Sequence, residues 1–360
     1  MVSFAATIIA LVFGFLTAWI LTRANVPFTR TLQQLMAIFY YVTPLLGSFA
    51  WSLLGAPESG FINKLWRRFG GEDALMDITS PWGIAWVMAL FEGSIAFVMI
   101  GAVMKSMDPL PEEASQVMGA GRLRTMLKIT LPLVAPGLLG AAIFVFAKTL
   151  GSFSAALVLG TPARFNVITT AIYQLVPQYP RRMPLAAAMG VSLFAVMFAM
   201  LFLYRRITGQ RSYVTISGKS FRPRAIDVGR LRWVLLAICV SYVVLSVMLP
   251  VATLLFASVQ KLEVAFPTAA NFTLDNFRTA VSMNAVRSAI VNSLMLGLLT
   301  ATIGVVVTGL LSWLIHRSRL PGRGVLEYIV IFPQAAPRLV FAFGMMCAWV
   351  VFPIPIYGTF

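Results

Sequence analysis

The chain has 360 residues, of which 59% are hydrophobic and 11% are charged, and its formal net charge is +16 at pH 7. This composition excludes an ordinary soluble protein and is typical of a polytopic membrane protein. The basic excess does not indicate nucleic acid binding, because the basic residues lie at the ends of apolar runs.

Apolar runs alternate with polar segments along the whole chain. A helix of about 20 apolar residues crosses the hydrocarbon core of a bilayer. The sequence therefore predicts an all-α fold with eight membrane-spanning helices. They lie at roughly residues 3–22, 34–55, 82–104, 137–159, 184–204, 233–258, 287–315 and 325–350.

The basic residues predict the orientation of these spans in the membrane. Segment 205–232 carries eight basic residues and a single acid, Asp227, so the positive-inside rule places it in the cytoplasm. Alternation of the spans then places 23–33, 105–136 and 316–324 on the same side. The outward segments are 56–81, 160–183 and 259–286. The arginines of 160–183 make it a mild exception to the rule.

The polar segment 112–132, between the third and fourth apolar runs, predicts a docking element. Glu112 and Glu113 fall in the first turn of a short helix, where carboxylates interact favourably with the helix dipole. The helix should end at Gly119. Its apolar face consists of Ala114, Val117 and Met118. A short amphipathic helix on an exposed loop favours docking to a partner, and the alternative is a helix lying on lipid headgroups.

The spacing of six residues in this segment resembles the EAA loop of permease subunits in binding-protein-dependent ABC importers. These residues are Glu113, Ala114, Gly119, Ile129, Leu131 and Pro132, at the spacing E-A-(A)-x3-G-x9-I-x-L-P. Ser115 stands where the family usually has a second alanine, which is a change between two small residues. The resemblance implies the type I permease fold and a loop that inserts into a cleft on a cytoplasmic ATPase.

The same resemblance implies the partners of the chain. These would be two copies of an ABC ATPase subunit in the cytoplasm, a periplasmic substrate-binding protein, and the lipid of the bacterial inner membrane. Hydrolysis of ATP would take place in the ATPase subunits. No catalytic residue, cofactor or resident metal is therefore expected in this chain, and no nucleic acid partner.

Other segments are similar to the ferric-iron group of these permeases. They are residues 151–162, 213–224 and 271–277. The resemblance implies ferric iron, delivered by the binding protein, as the transported substrate. Polyamine, thiamine or another small solute stays an alternative, because permeases for these solutes share much of the same sequence.

A repeated pattern predicts two related halves. A tryptophan, an arginine and a proline recur at one constant offset, each time at the end of an apolar run. The two sets are Trp19, Arg23 and Pro27, and Trp313, Arg317 and Pro321. The expected domains are a first half at 1–204 carrying the loop 112–132, a basic linker at 205–232, and a second half at 233–360.

The repeat also leads us to expect a fragment of a longer permease. The same offset places one more span before the first half and a second EAA loop beyond the second half. A permease with five spans in its first half and three in its second is the alternative.

Three charged residues lie well within apolar runs, away from their ends, where an ionised group costs about 2.5–3.5 kcal/mol. They are Glu92, Lys148 and Arg338. Antiparallel runs would place Glu92 and Lys148 at similar depth, which predicts a pair that either fixes helix packing or lines a pathway. Arg338 follows Pro337 in a helix expected to kink, where it would face a water-filled cavity.

A membrane-embedded enzyme has no support in the sequence. His316 is the single histidine, the two cysteines show no metal-ligand spacing, and no nucleophile is matched with a base. Two classes remain: an ABC importer permease and an ion-coupled secondary transporter, in which the intramembrane charges would carry the coupling ion. The docking loop favours the first class, because the second leaves that loop without a role.

Overall fold

The structure is a computed structural model, and it describes residues 1–39, 42–177, 179, 182–209, 226–318, 321–326, 329–330 and 337–352. These residues are helical apart from loops and two isolated β-bridges. The principal helices are α1 (Val2–Arg23), α2 (Thr29–Phe39), α3 (Pro44–Gly55), α4 (Phe61–Arg68), α5 (Pro81–Ser106), α6 (Leu110–Val117), α7 (Arg122–Thr125), α8 (Leu131–Leu150), α9 (Ile168–Leu175), α10 (Met183–Gly209), α11 (Arg232–Val243), α12 (Leu249–Ser258), α13 (Asp275–Ser282), α14 (Asn284–Arg317) and α15 (Arg338–Val351). Three π-helical turns lie at Met126–Thr130, Ala156–Gly160 and Val244–Met248.

Six helical segments among the described residues are long and apolar enough to cross a membrane. They are α1, α5, Leu123–Leu150, Met183–Tyr204, Gly229–Ser258 and α14. Each corresponds to one of the eight predicted spans. At the other two predicted spans, the apolar helices are the shorter segments Pro44–Gly55 and Arg338–Trp349.

Prolines explain why both of these helices begin later than the predicted spans. Pro44 is the first residue of α3, and Thr43 before it is extended, with φ −67° and ψ 124°. A proline lacks the backbone N–H and disfavours helical geometry in the residue before it. Pro337 is instead the residue directly before α15, and its own backbone is non-helical, with ψ 129°. The expectation that Arg338 lies within a kinked helix is therefore wrong, because Arg338 is the first residue of α15.

The core of the bundle is the contact between α1 and α5. Ala6, Ala10 and Ala18 of α1 and Ala89 and Ala96 of α5 are completely buried. Small side chains let two helix backbones approach closely, which is how helices associate where lipid removes the hydrophobic driving force. In the most apolar 18-residue stretch of α5, 67% of the residues are buried in the protein. In the corresponding stretch of α14, no residue is buried.

Segments that were predicted to lie on the same side of the membrane meet at each end of the bundle. At one end, the Ile226 amide donates a hydrogen bond to the Arg23 carbonyl at 2.8 Å, and the Asn25 amide donates to the Ile226 carbonyl at 3.1 Å. These residues belong to two segments predicted to be cytoplasmic.

Two outward segments meet at the opposite end. The rings of Phe61 and Phe256 lie 5.8 Å apart in an edge-to-face arrangement, and the Arg68 guanidinium lies 4.8 Å from the centre of the Phe266 ring. Both contacts join the predicted outward segment 56–81 to the end of α12 and the loop that follows it.

Much of the predicted linker lies outside the described residues. Residues 210–225 of the linker are not described, and they include the segment 213–224 that is similar to ferric-iron permeases. Residues 353–360 near the end of the chain also lie outside the described residues. The division into two halves stays a prediction.

Candidate functional site

Helix α6 and the turn after it form the predicted docking loop. The Asp108 carboxylate accepts a hydrogen bond from the Leu110 amide at 3.0 Å at the start of the helix. Gly119 has a φ of +79°, in the left-handed region that favours glycine. A Cβ at Gly119 would meet no atom within 4 Å, so the backbone conformation and not a lack of space explains this glycine.

The face of α6 that carries the predicted docking residues Glu113 and Ala114 points to solvent, together with the residue that follows the helix. Val117 is 88% exposed and Met118 is 80% exposed, while Glu113 and Ala114 are exposed beside them. Large apolar side chains held in the open on a short helix suit a partner with an apolar cleft. This surface, Glu113, Ala114, Val117 and Met118, is called the docking face below.

Ser115 does not belong to the docking face. Its side chain is buried, and its hydroxyl lies 2.9 Å from the hydroxyl of Thr125 in α7. Ser115 therefore holds α6 against the start of the next helix.

The last three predicted loop residues shape the entry into the membrane. Pro132 follows the π-helical turn Met126–Thr130, in which the Leu131 amide donates to the Met126 carbonyl. Since a proline has no N–H and its ring clashes with the carbonyl four residues earlier, a wider turn before it avoids the clash. Ile129 and Leu131 are partly buried and Pro132 is exposed.

Glu112, next to the docking face, is the functional candidate that the sequence reasoning missed. Its carboxylate is buried and lies 3.2 Å from Nε of Arg23 at the end of α1. The sequence reasoning gave Glu112 only a role at the helix dipole. A signal was present, because Glu112 and Ser115 lie one turn apart on the side of the helix opposite its apolar face.

The predicted intramembrane pair comes together in the structure. Nζ of Lys148 in α8 lies 3.8 Å from Oε2 of Glu92 in α5, and the two side chains are 27% and 14% exposed. Arg338 is the first residue of α15. Whether these groups line a pathway stays a prediction.

The chain is similar to known membrane transport proteins. The family described as binding-protein-dependent transport system inner membrane component matches residues 10–211. The ferric transport system permease protein FbpB of Actinobacillus pleuropneumoniae is 26% identical over 365 residues, covering 99% of this chain and 51% of that protein.

Two further relatives match at similar levels. A putative ferric transport system permease protein FbpB 1 of Haemophilus influenzae is 26% identical over 364 residues, with 99% of this chain and 56% of that protein covered. The sulfate transport system permease protein CysT of Salmonella typhimurium is 31% identical over 204 residues, which are 56% of this chain and 70% of that protein. The chain spans about half the length of the two ferric relatives.

Proposed function

The chain belongs to the inner membrane components of binding-protein-dependent transport systems, and from this premise we propose that it forms the substrate pathway of an ATP-driven importer. It is a multi-pass protein of the bacterial inner membrane. In this proposal it catalyses no reaction itself, and ATP hydrolysis takes place in two separate ATPase subunits.

The exposed docking face is the observation that carries this proposal. Val117 and Met118 would enter an apolar cleft on the ATPase, and Glu113 would contact its polar rim. Gly119 would allow the chain to turn away from the cleft. Ser115, Ile129, Leu131 and Pro132 would fix the position of the docking face without touching the partner, because they are buried or lie at the base of the loop.

Closure of the two ATPase subunits around ATP would move the docked helix and, with it, the membrane helices. The pathway would then change from inward-open to outward-open, and a periplasmic binding protein would release its substrate into it. Glu92, Lys148 and Arg338 are the candidates for lining this pathway, since an intramembrane charge needs a partner or water.

Ferric iron is the proposed substrate. Support comes from the two ferric relatives, whose similarity extends over 99% of this chain. The sulfate relative covers 56% of the chain at slightly higher identity. A sulfate-like anion, a polyamine or thiamine is therefore an outcome that the uptake assay must distinguish from iron.

Co-purification of the complete gene product with candidate ATPase subunits tests the docking role. Wild-type protein is expected to capture an ATPase, and Glu113→Ala and Gly119→Asp are expected to lose it. Glu72→Ala, the same change on an exposed residue of the outer loop, is the matched control and should capture as much as wild type.

Two results would contradict the proposal: a wild-type protein that captures no ATPase, or docking variants that capture as much as wild type. Uptake driven by an ion gradient without ATP would then be the function to test. If capture succeeds, proteoliposomes that contain the ATPase, ATP and a loaded binding protein should accumulate radioactive iron in preference to sulfate.

A further inference from the structure

Beneath the docking face, three buried side chains join the loop to the membrane helices. Oε2 of Glu112 lies 3.2 Å from Nε of Arg23, and the two side chains are 4% and 1% exposed. The Thr130 hydroxyl donates a hydrogen bond to Oε1 of Glu112 at 2.5 Å. Arg23, Glu112 and Thr130 are called the loop clamp below.

The loop clamp brings together the ends of four helical segments. Arg23 is the last residue of α1, Glu112 lies in α6, and Thr130 ends the π-helical turn before α8. Nη2 of Arg23 also donates to the carbonyls of Met104 and Met107 at the end of α5, at 2.9 Å and 3.4 Å. A displacement of α6 must therefore move these helix ends or break the clamp.

Part of the chain that leads to the second half is attached at the same point. The Arg23 carbonyl accepts a hydrogen bond from the Ile226 amide at 2.8 Å, and Val228 is almost completely buried. Arg23 thus contacts α5 and α6 through its side chain and the segment before α11 through its backbone.

The chemistry of the clamp favours a positioning role over simple packing. Apolar residues of similar volume are often at least as stabilising as a buried ion pair, whereas an ion pair with fixed hydrogen bonds specifies one geometry. Glu112 is also adjacent to Glu113 on the docking face, so a force applied there reaches the clamp through one peptide unit.

The repeat in the sequence gives Arg23 a counterpart. Helix α1 ends at Arg23, four residues after Trp19, and helix α14 ends at Arg317, four residues after Trp313. An arginine therefore stands at the same helix end in both copies of the predicted repeat.

We infer that Arg23, Glu112 and Thr130 are positioning residues that transmit movement of the docking helix to α1, α5 and α8; this inference rests on the proposed docking of α6 to an ATPase. Loss of the clamp leaves the docking face intact, so the ATPase still binds and hydrolyses ATP. The membrane helices then no longer follow α6, and uptake is lost.

The test uses the complete gene product, reconstituted with its ATPase and a loaded binding protein, and measures ATPase capture, ATP hydrolysis and uptake per folded protein. Glu112→Gln and Arg23→Gln should capture the ATPase like wild type. Uptake per ATP hydrolysed should fall by about tenfold, within the usual range of coupling between two sites. Glu72→Gln in the outer loop is the control.

Thr130 provides a milder pair of variants in case the charge variants do not fold. Thr130→Ser keeps the hydroxyl and should keep the wild-type ratio of uptake to hydrolysis, whereas Thr130→Val removes it and should lower that ratio. The exchange of charges in the double variant Arg23→Glu with Glu112→Arg should recover part of the ratio lost in either single variant.

Each contrary result has a distinct meaning. If wild-type protein captures no ATPase, the proposed function fails and the clamp inference fails with it. If wild-type protein captures an ATPase and transports, but the clamp variants keep the wild-type ratio of uptake to hydrolysis, the inference alone is overturned. The inference is also overturned if Thr130→Ser and Thr130→Val have the same ratio of uptake to hydrolysis.

Discussion

Replacement of Gly14 by alanine is expected to destabilise the contact between α1 and α5. A Cβ at Gly14 would lie 2.4 Å from Cβ of Ala96 and 2.9 Å from the backbone of Ala96 and Phe97. Carbon atoms in favourable contact are about 3.5–4.0 Å apart. The helices must therefore separate by roughly 1 Å, because neither a backbone nor an alanine has a flexible end that can rotate away.

Gly101 provides a matched control in the same pair of helices. A Cβ there would lie 4.0 Å from Cβ of Ala18, which is an ordinary contact. Alanine raises helix propensity by up to about 1 kcal/mol at either position. That gain cancels when the two variants are compared, which leaves the cost of overpacking. Gly14→Ala should therefore be less stable than Gly101→Ala by about 1–3 kcal/mol.

Thiol accessibility can measure this difference in detergent. Cys239 is completely buried and Cys347 is exposed, so a Cys347→Ser background leaves Cys239 as a reporter of unfolding for a thiol-reactive dye. Gly14→Ala should expose Cys239 at a lower temperature than Gly101→Ala. Equal temperatures, or the reverse order, would show that α1 and α5 do not approach each other at Gly14 as closely as described.

Three further substitutions test contacts elsewhere in the protein. Tyr242→Phe removes a buried hydrogen bond of 2.8 Å to a carbonyl of α5 and should lower stability by about 1 kcal/mol in the same thiol assay; no change would contradict that contact. Asn63→Ala removes three hydrogen bonds of 2.7–3.0 Å within the outer loop, so limited proteolysis should cleave that loop faster than in wild type. The loss of stability caused by Lys148→Ala should be rescued in part by Glu92→Gln. A double-mutant cycle of the free energy of unfolding should give a coupling energy of about 0.5–3 kcal/mol. Additive effects would show that the two charges do not interact.

The membrane spans could be predicted from the sequence because they depend on local composition. The first span was expected at 3–22 and the helix runs over Val2–Arg23. The breaks inside apolar runs were harder to predict, since an average over 20 residues hides a single residue that ends a helix. The run 137–159 is one example, because its helix ends at Leu150 and Gly151 follows in a turn.

The docking loop shows a different limit of sequence reasoning. The end of α6 before Gly119 follows from local chemistry and was predicted. Helix periodicity places Glu112 and Glu113 on different faces of α6, but it does not show that the face of Glu112 is buried in the protein. The answer depends on Arg23, which is far away in the chain and contacts both Glu112 and the end of α5 in the folded structure.

The position of the loop clamp also indicates which part of the bundle would move with a docked α6. Arg23 and Met104 lie at the adjoining ends of α1 and α5, and these two helices are packed through alanines and through Gly14, where a further methyl group would not fit. So tightly packed a pair resists internal deformation. We therefore expect α1 and α5 to follow α6 as one rigid body together with the start of α8, so that the pathway would open through sliding of the remaining helices against this group.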